Sequence, residues 1–470
     1  MIDLKNLTIE KAHADMKSGV YTPTVLANAC LEVIKQKNAE INAYVEVYPD
    51  VLEQAKTAEE MFANGTATMM TGIPISLKDN MLRDEYTASA SSKILENYTA
   101  TYSAGIVSQL KGAGVVFMGR TNMDEFAMGS STETSAFGNT KNPLDTTCVP
   151  GGSSGGAVSS VAMDGALCAL GSDTGGSIRQ PAAFTNLVGL KPTYGAVSRY
   201  GIISMGSSLD QVGPIAKNVS DCEILFNAIN AYDKNDGTSV PVENRIKPSP
   251  LKKKIGVPRE FLKGDGIDPV VLGNFDQACE KLKNAGYELV DVSLPLLKYS
   301  LPVYYILMPA EVSSNLARYD GIRYGESHAG GKLFDTYAKT RGQGFGKEVR
   351  RRIILGTYIL SHGYYDAYYN SAVKIRSAIK NELQNAFKDV DAIITPTTPT
   401  LPFKFGAKSK DPVSMYLLDI FLAPANIAGV PAISVPSGSS NGLPLGLHIM
   451  APFHREDILF TIGKDFEKLV

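Results

Sequence analysis

Tryptophan is absent from this chain of 470 residues, and histidine and cysteine each occur only five times. Cysteine in an odd number, with no Cys-x-x-Cys pair, excludes a disulfide framework and a cysteine zinc site, and suits a reducing compartment. The five histidines (His13, His328, His362, His448, His454) leave few candidates for a Ser–His catalytic pair. Neither sign of charge dominates: 46 Lys and Arg face 48 Asp and Glu, for a formal net charge of −2. A free-standing nucleic-acid binder needs a basic face to meet phosphates, so that class is disfavoured. No apolar run reaches the ~18 residues a membrane span requires. The N-terminus, Met1-Ile2-Asp3-Leu4-Lys5, is charged where a secretory signal would be apolar. The expectation is a soluble cytoplasmic protein without metal ligands or membrane contact.

Glycine, by contrast, is concentrated. Residues 129–213 hold 15 of the 43 glycines and only nine charged side chains. Such a segment is buried and closely packed, with backbone groups available for work that side chains usually do. Upstream, residues 1–65 read as helices. Thr8 caps a segment stopped by Gly19, Thr22-Pro23 opens a second with Leu26, Cys30, Val33, Ile34 and Lys37 at helical spacing, and Asp50 starts a third ending near Gly65. Apolar strands at 73–77 and 115–118, mixed with helical stretches, indicate an α/β fold. Residues 232–254 read as an exposed connection. Asp268-Pro269 then opens a helix closed by Gly286, and 287–292 is a strand. Residues 293–390 carry 11 of the 22 tyrosines on mostly helical patterns. They form either a cap whose tyrosines line a pocket or a layer of tyrosines packed on a sheet. Strands near 392–395, 432–435 and 445–450 and a helix over 456–469 complete a single domain, 1–470, without internal repeats.

Two glycine-set serines stand 24 residues apart: Gly151-Gly152-Ser153-Ser154-Gly155-Gly156 and Gly171-Ser172-Asp173-Thr174-Gly175-Gly176-Ser177-Ile178-Arg179-Gln180-Pro181. A lysine lies upstream in Gly72-Ile73-Pro74-Ile75-Ser76-Leu77-Lys78-Asp79-Asn80. Glycine lets a backbone approach a reacting atom and aim its N–H groups at developing negative charge, so this pattern suits a serine nucleophile with a base other than histidine. A rival reading takes Gly151–Gly155 as the Gly-x-Ser-x-Gly elbow of an α/β-hydrolase, with Asp391 and His448 in the required order. However, the residues before it, Leu144-Asp145-Thr146-Thr147-Cys148-Val149-Pro150, are polar and end in proline where the elbow needs a buried strand. A phosphate loop fails because no Gly-Lys-Ser/Thr follows. Separately, Lys78, Ser153 and Ser177 read as a surface lysine, a turn residue and a helix cap; their joint spacing is what carries the catalytic reading.

Residues 151–181 match throughout the pattern of the amidase signature family, which the whole chain resembles. Longer stretches resemble its branch of glutamine-hydrolysing subunits from tRNA-dependent amidotransferases: residues 121–135, Gly189-Leu190-Lys191-Pro192-Thr193-Tyr194-Gly195, Ser314-Asn315-Leu316-Ala317-Arg318-Tyr319-Asp320-Gly321 and Gly363-Tyr364-Tyr365-Asp366-Ala367-Tyr368-Tyr369. Departures are small: Thr185-Asn186 stand where Cys-Gly is common, and Leu144 and Cys148 replace a usual Trp and Arg.

The resemblance implies an amidase-signature α/β fold, a mixed twisted sheet covered by helices on both faces. It implies a Ser–Ser–Lys triad of Ser177 as nucleophile, Ser153 as relay and Lys78 as base, with a cis peptide before Ser153. Lys78 acts as a base only when neutral, so its pKa must fall from ~10.4 towards neutrality, a differential of about 4 kcal/mol. Burial drives that fall and an inward Asp79 would oppose it, so Asp79 is expected to point away. Backbone N–H groups of Thr174, Gly175, Gly176 and Ser177 would form the oxyanion hole. Asp173, Arg179, Lys191 and Asp210 are expected to be structural. Glutamine would meet Arg352 through its carboxylate and Asp419 through its ammonium, with Tyr304 alongside; the run Arg350-Arg351-Arg352 leaves Arg351 an open alternative. The resemblance further implies two partner subunits in a heterotrimer, mischarged tRNA held mainly by a partner, and ATP and magnesium used there, with no cofactor in this chain. The alternatives are a stand-alone amidase for small amides and a non-catalytic binding module on the same fold.

Overall fold

The apolar segments read as strands all enter one sheet, joined by others, among them Tyr44–Val47, a strand within residues 1–65, whose pattern reads as helical throughout. The computed structural model describes residues 2–264, 266–408 and 412–470. Its strands are β1 (Tyr44–Val47), β2 (Pro74–Lys78), β3 (Val116–Thr121), β4 (Cys168–Asp173), β5 (Val188–Lys191), β6 (Gln211–Ala216), β7 (Lys254–Val257), β8 (Glu288–Asp291), β9 (Ala392–Pro396), β10 (Ala432–Ser440) and β11 (Leu443–Met450). They form an eleven-stranded mixed sheet in the order β1-β3-β2-β4-β6-β5-β10-β11-β9-β7-β8. β2, β3, β4, β6 and β9 are buried at every position, so helices cover both faces of the sheet's middle.

β2 runs parallel to β3 on one side and β4 on the other, with Leu77 level with both Arg120 and Leu170. Three strands therefore deliver their C-terminal ends to one edge, where open α/β sheets characteristically bind ligands. Lys78 ends β2, Thr121 ends β3 and Asp173 ends β4. The glycine-rich loops follow from these ends.

Local chemistry explains the helices. Thr8 accepts from the Lys11 N–H at the start of helix Ile9–Lys17, and Thr22 from the Val25 N–H ahead of helix Pro23–Ile41, with Pro23 at its first turn. Asp268 likewise caps helix Pro269–Asn284. Asp50 precedes helix Val51–Ala63 without capping it; its carboxylate instead pairs with the Arg83 guanidinium.

Helices Ser300–Asn315, Lys347–Ile359 and Ser371–Ala386 build a second apolar cluster that rests on Ile393, Ala432 and Met450 of the sheet. The tyrosines of this region divide by burial. Tyr304 and Tyr319 are buried, whereas Tyr358, Tyr364, Tyr365 and Tyr368 are exposed. The connection over 232–254 is less free than expected, because Asp233 accepts from the Ser198 hydroxyl (2.6 Å) and Asp236 from the Arg199 N–H (2.8 Å). Among the described residues no helix is long and apolar enough to cross a membrane.

Candidate active site

Lys78 is fully buried at the end of β2. Its Nζ lies 2.7 Å from Ser153 Oγ, 2.9 Å from both Ser154 Oγ and Ser172 Oγ, and 3.3 Å from the Ser172 carbonyl oxygen. Among the described residues no carboxylate touches it. Burial lowers its pKa to about 7, against the opposing pull of Asp124, Asp173 and Asp210. Asp79 points away as expected. The chain turns after β2, and the Asp79 carboxylate accepts from the Ser89 and Ser91 N–H groups, the Ser89 hydroxyl and Arg120.

Ser153 sits on the turn before helix Gly155–Ala162, after a cis Gly152–Ser153 peptide bond. Glycine is required at 152 because a Cβ there would collide with the Asp124 carboxylate and the Ser131 N–H. Asp124, buried and with its pKa raised by that burial, accepts from the Ser131, Thr132 and Thr134 N–H groups. Its own N–H donates to the Ser153 carbonyl at 3.2 Å. Gln180 completes the clamp by accepting from the Gly152 N–H at 2.9 Å. The middle serine is thus held by a neighbouring loop rather than by its own helix.

Ser177 is half-buried, and its hydroxyl has no hydrogen-bond partner among the described residues. The Lys78–Ser153 contact is therefore formed, while a Ser153–Ser177 hydrogen bond is not. The loop expected to supply the oxyanion hole departs from expectation at one position. The Gly176 N–H donates to Asp173 Oδ1 at 2.8 Å, which removes it from the set of free donors. The N–H groups of Thr174, Gly175 and Ser177 have no partner among the described residues. Three donors remain instead of four, because Asp173 turns back into its own loop.

Asp173 is held there by Arg179, whose guanidinium donates to both carboxylate oxygens at 3.0 Å, to Asn426 Oδ1 at 2.6 Å and to the Leu422 carbonyl at 3.2 Å. Burial opposes the charge of Asp173, yet Arg179 keeps its pKa well below the usual carboxylate range. Asp210 braces the loop from the other side, accepting from the Thr174 hydroxyl at 2.7 Å; burial pushes its pKa to about 6. Lys191 is buried and donates to the Pro192 carbonyl. Each of the four is engaged by partners within the fold.

The hydrolase elbow fails on geometry. His448 lies in β11 with Nε2 2.8 Å from the Arg179 guanidinium, so that nitrogen accepts and cannot serve as a base for Ser153. Asp391 accepts from the Lys252 and Lys254 N–H groups at the start of β7.

A cavity of about 400 Å³ adjoins the loop before Ser153, lined by Glu125, Ser131, Glu348, Arg351, Arg352 and Tyr416 among others. Arg352 is 4% exposed and lies near the rings of Tyr305 and Tyr416, at 5.8 and 5.6 Å from their centroids. Burial works against its charge, but Tyr305 and Glu348 hold its pKa above the ordinary arginine value. Arg351 has a side chain 39% exposed and pairs with the same Glu348. Of the two arginines, Arg352 is the buried one. Asp419 accepts from the Tyr305 hydroxyl at 3.0 Å, and burial pushes its pKa up to about 7. Tyr304 packs its ring directly over Gly175. The sequence reading missed Ser154, Ser172 and Asn80 around Lys78, and Glu348 beside the arginines. Glu348 was findable, since three- and four-residue spacing on a helix sets it against Arg351 and Arg352.

The chain matches the Amidase family over residues 26–460. It is 48% identical to a glutamyl-tRNA(Gln) amidotransferase subunit of Thermoanaerobacter pseudethanolicus, covering 99% of this chain and 97% of that relative. Its fold is similar to the crystal structure of the corresponding glutamyl-tRNA(Gln) amidotransferase subunit from Thermotoga maritima, with a TM-score of 0.82 and 40% identity over 100% of this chain and 96% of that one. A peptide amidase in complex with the competitive inhibitor chymostatin is similar at a TM-score of 0.80 and 27% identity, over 99% and 98% of the two chains. Similarity of this extent, on a fold that buries a lysine against the middle serine, places the chain in the amidase signature family.

Proposed function

We propose that this chain is the glutaminase subunit of a tRNA-dependent amidotransferase. The observation that carries the reading is the buried Lys78 amine, at a pKa near 7, within 2.7 Å of Ser153 in a chain similar along its whole length to such subunits. Ser177 Oγ attacks the side-chain amide carbon of glutamine. Its proton passes to Ser153, whose own proton passes to Lys78. The oxygen of the tetrahedral intermediate meets the N–H groups of Thr174, Gly175 and Ser177, each worth roughly 3–4 kcal/mol in comparable sites. Collapse breaks the C–N bond, and the proton on Lys78 returns through Ser153 to the leaving nitrogen, so ammonia departs and a γ-glutamyl ester remains on Ser177. Water then enters by the same base and releases glutamate.

Substrate selection would rest on Arg352, which lines the cavity, and on Asp419 and Tyr304, which lie outside its lining. A planar guanidinium suits the glutamine α-carboxylate, which supports Arg352, and Asp419 suits its α-ammonium, with Tyr304 closing the site. A bound ammonium would return Asp419 to its charged form. The ammonia would serve a partner that converts Glu-tRNA(Gln), Asp-tRNA(Asn) or both with ATP and magnesium. A third, small subunit would complete the heterotrimer in the cytoplasm, and the near-zero charge of this chain suits tRNA held by the partner. Glutamine-dependent ammonia release, abolished by Ser177→Ala, is the expected result. Activity that survives this change excludes the assignment, and hydrolysis of small amides with no response to partner subunits or mischarged tRNA would favour a stand-alone amidase.

A further inference from the structure

Lys78 Nζ has four oxygen neighbours, yet a neutral amine offers only two N–H donors and one lone pair. Base action on Ser153 requires that the Ser153 hydroxyl be the group that donates to that lone pair. Ser154 is already committed, because its O–H donates to the Ser172 carbonyl at 3.2 Å and its oxygen is left to accept from Lys78. Ser172 is undecided. Its Oγ lies 2.9 Å from Lys78 Nζ and 3.0 Å from the Asn80 amide, and it has no other partner among the described residues. If the Ser172 proton points at Lys78, it occupies the lone pair and the amine can only donate to Ser153.

Asn80 can decide between these states. With Nδ2 on Ser172, its Oδ1 is buried without a partner among the described residues. The two ends of a primary amide are alike in size, so a half-turn exchanges them within the same space. With Oδ1 on Ser172, the hydroxyl proton has an acceptor and Ser172 offers its own lone pair to Lys78. The amine's lone pair then falls to Ser153. We propose that Asn80 is a positioning residue that, through Ser172, aims the Lys78 lone pair at Ser153. The charged groups around the amine do not supply this direction. Asp124, Asp173 and Asp210 are each engaged by their own donors, and Asp79 faces Arg120, Ser89 and Ser91.

The inference rests on Lys78 being the base, so its test reads the base without glutamine. Ser177 in the full chain is sulfonylated with a sulfonyl fluoride and the rate followed by intact mass across pH, with Ser177→Ala as the unlabelled control. The unchanged chain is expected to label at a rate that rises with pH to a plateau; no labelling overturns the base and this inference together. Labelling as expected without glutamine hydrolysis counts against the glutamine reading alone. Asn80→Leu is expected to lower the plateau about tenfold, the scale of one misdirected hydrogen bond. In a Ser172→Ala background the same change should cost nothing further, because no competing proton remains. An equal loss in both backgrounds, or no loss in either, overturns the inference. Asn80→Asp is a near-isosteric variant that guards against misfolding. Both its oxygens accept, so the plateau should hold, while the added negative charge moves the midpoint up by about one pH unit. An unmoved midpoint in the folded variant also overturns the inference.

Discussion

Replacing Gly175 by alanine tests whether the proposed oxyanion loop is held in place by the ring above it. Gly175 does not need a left-handed backbone; what excludes a side chain is Tyr304. A Cβ at this position would lie 2.5 Å from Tyr304 Cζ, 2.7 Å from its hydroxyl and 2.9 Å from Cε2. Ordinary contact begins at 3.4 Å, so loop and ring must part by about 0.9 Å. The ring cannot easily swing away, since Tyr304 is 3% exposed and packs edge-on against Tyr305 at 5.0 Å. Overpacking of this kind costs about 1–3 kcal/mol of stability. If the loop yields, the Gly175 N–H leaves its position, and a displacement near 1 Å costs roughly 10²-fold in rate. Steady-state kinetics on Gly175→Ala should therefore show kcat lowered by about that factor with KM little changed. Shortening the ring to Tyr304→Leu removes every atom in the clash. The double variant should then recover the kcat of Tyr304→Leu alone, whatever KM that change brings. Full activity in Gly175→Ala, or a defect that persists without the tyrosine ring, would refute this account of the loop.

The pH dependence of kcat/KM should rise through about pH 7 and then level, since Lys78 must lose its proton to act and its pKa lies near 7; a rate that falls over that interval contradicts Lys78 as base. Arg352→Ala should raise KM for glutamine by about 10²-fold, the scale of a lost charged hydrogen-bond pair, with Arg351→Ala changing it only a few-fold; the reverse order would move the carboxylate to Arg351. Arg179→Met should destabilise the chain by about 3–5 kcal/mol in denaturant titrations at pH 7, because Asp173 would be left buried and unpaired. The Asp173 pKa is depressed in the folded chain, so this contribution is present above its unfolded value of ~3.9 and fades on acidification below it. The cost of Arg179→Met should shrink in acid, and one that stays constant from pH 7 to pH 3 would be inconsistent with the ion pair.

What could be read in advance was written in short stretches of sequence. Thr8, Thr22-Pro23 and Asp268-Pro269 mark helix starts because a cap or an N-terminal proline acts within three residues of itself. Ser153 and Ser177 were legible because glycines next to each serine announce a backbone that must come close to something. β4, β5 and β6 were not legible. Their glycine, serine and proline lack the β-branched alternation that marks a strand, and they are strands because fully buried neighbours pair with them on both sides.

The sequence by itself determined which side chains are the candidates for the chemistry, through the joint spacing of Lys78, Ser153 and Ser177 and the family pattern over residues 151–181. Only the tertiary structure decided how they meet. Lys78 reaches Ser153 across 75 residues because β2 lies between β3 and β4, and no local signal encodes that strand order. It likewise decided that Asp173 turns back on the Gly176 N–H, and that Arg352 rather than Arg351 is shut in beside Tyr305. Such outcomes depend on which distant groups share a buried space, where an unpaired donor or charge is costly enough to select one arrangement.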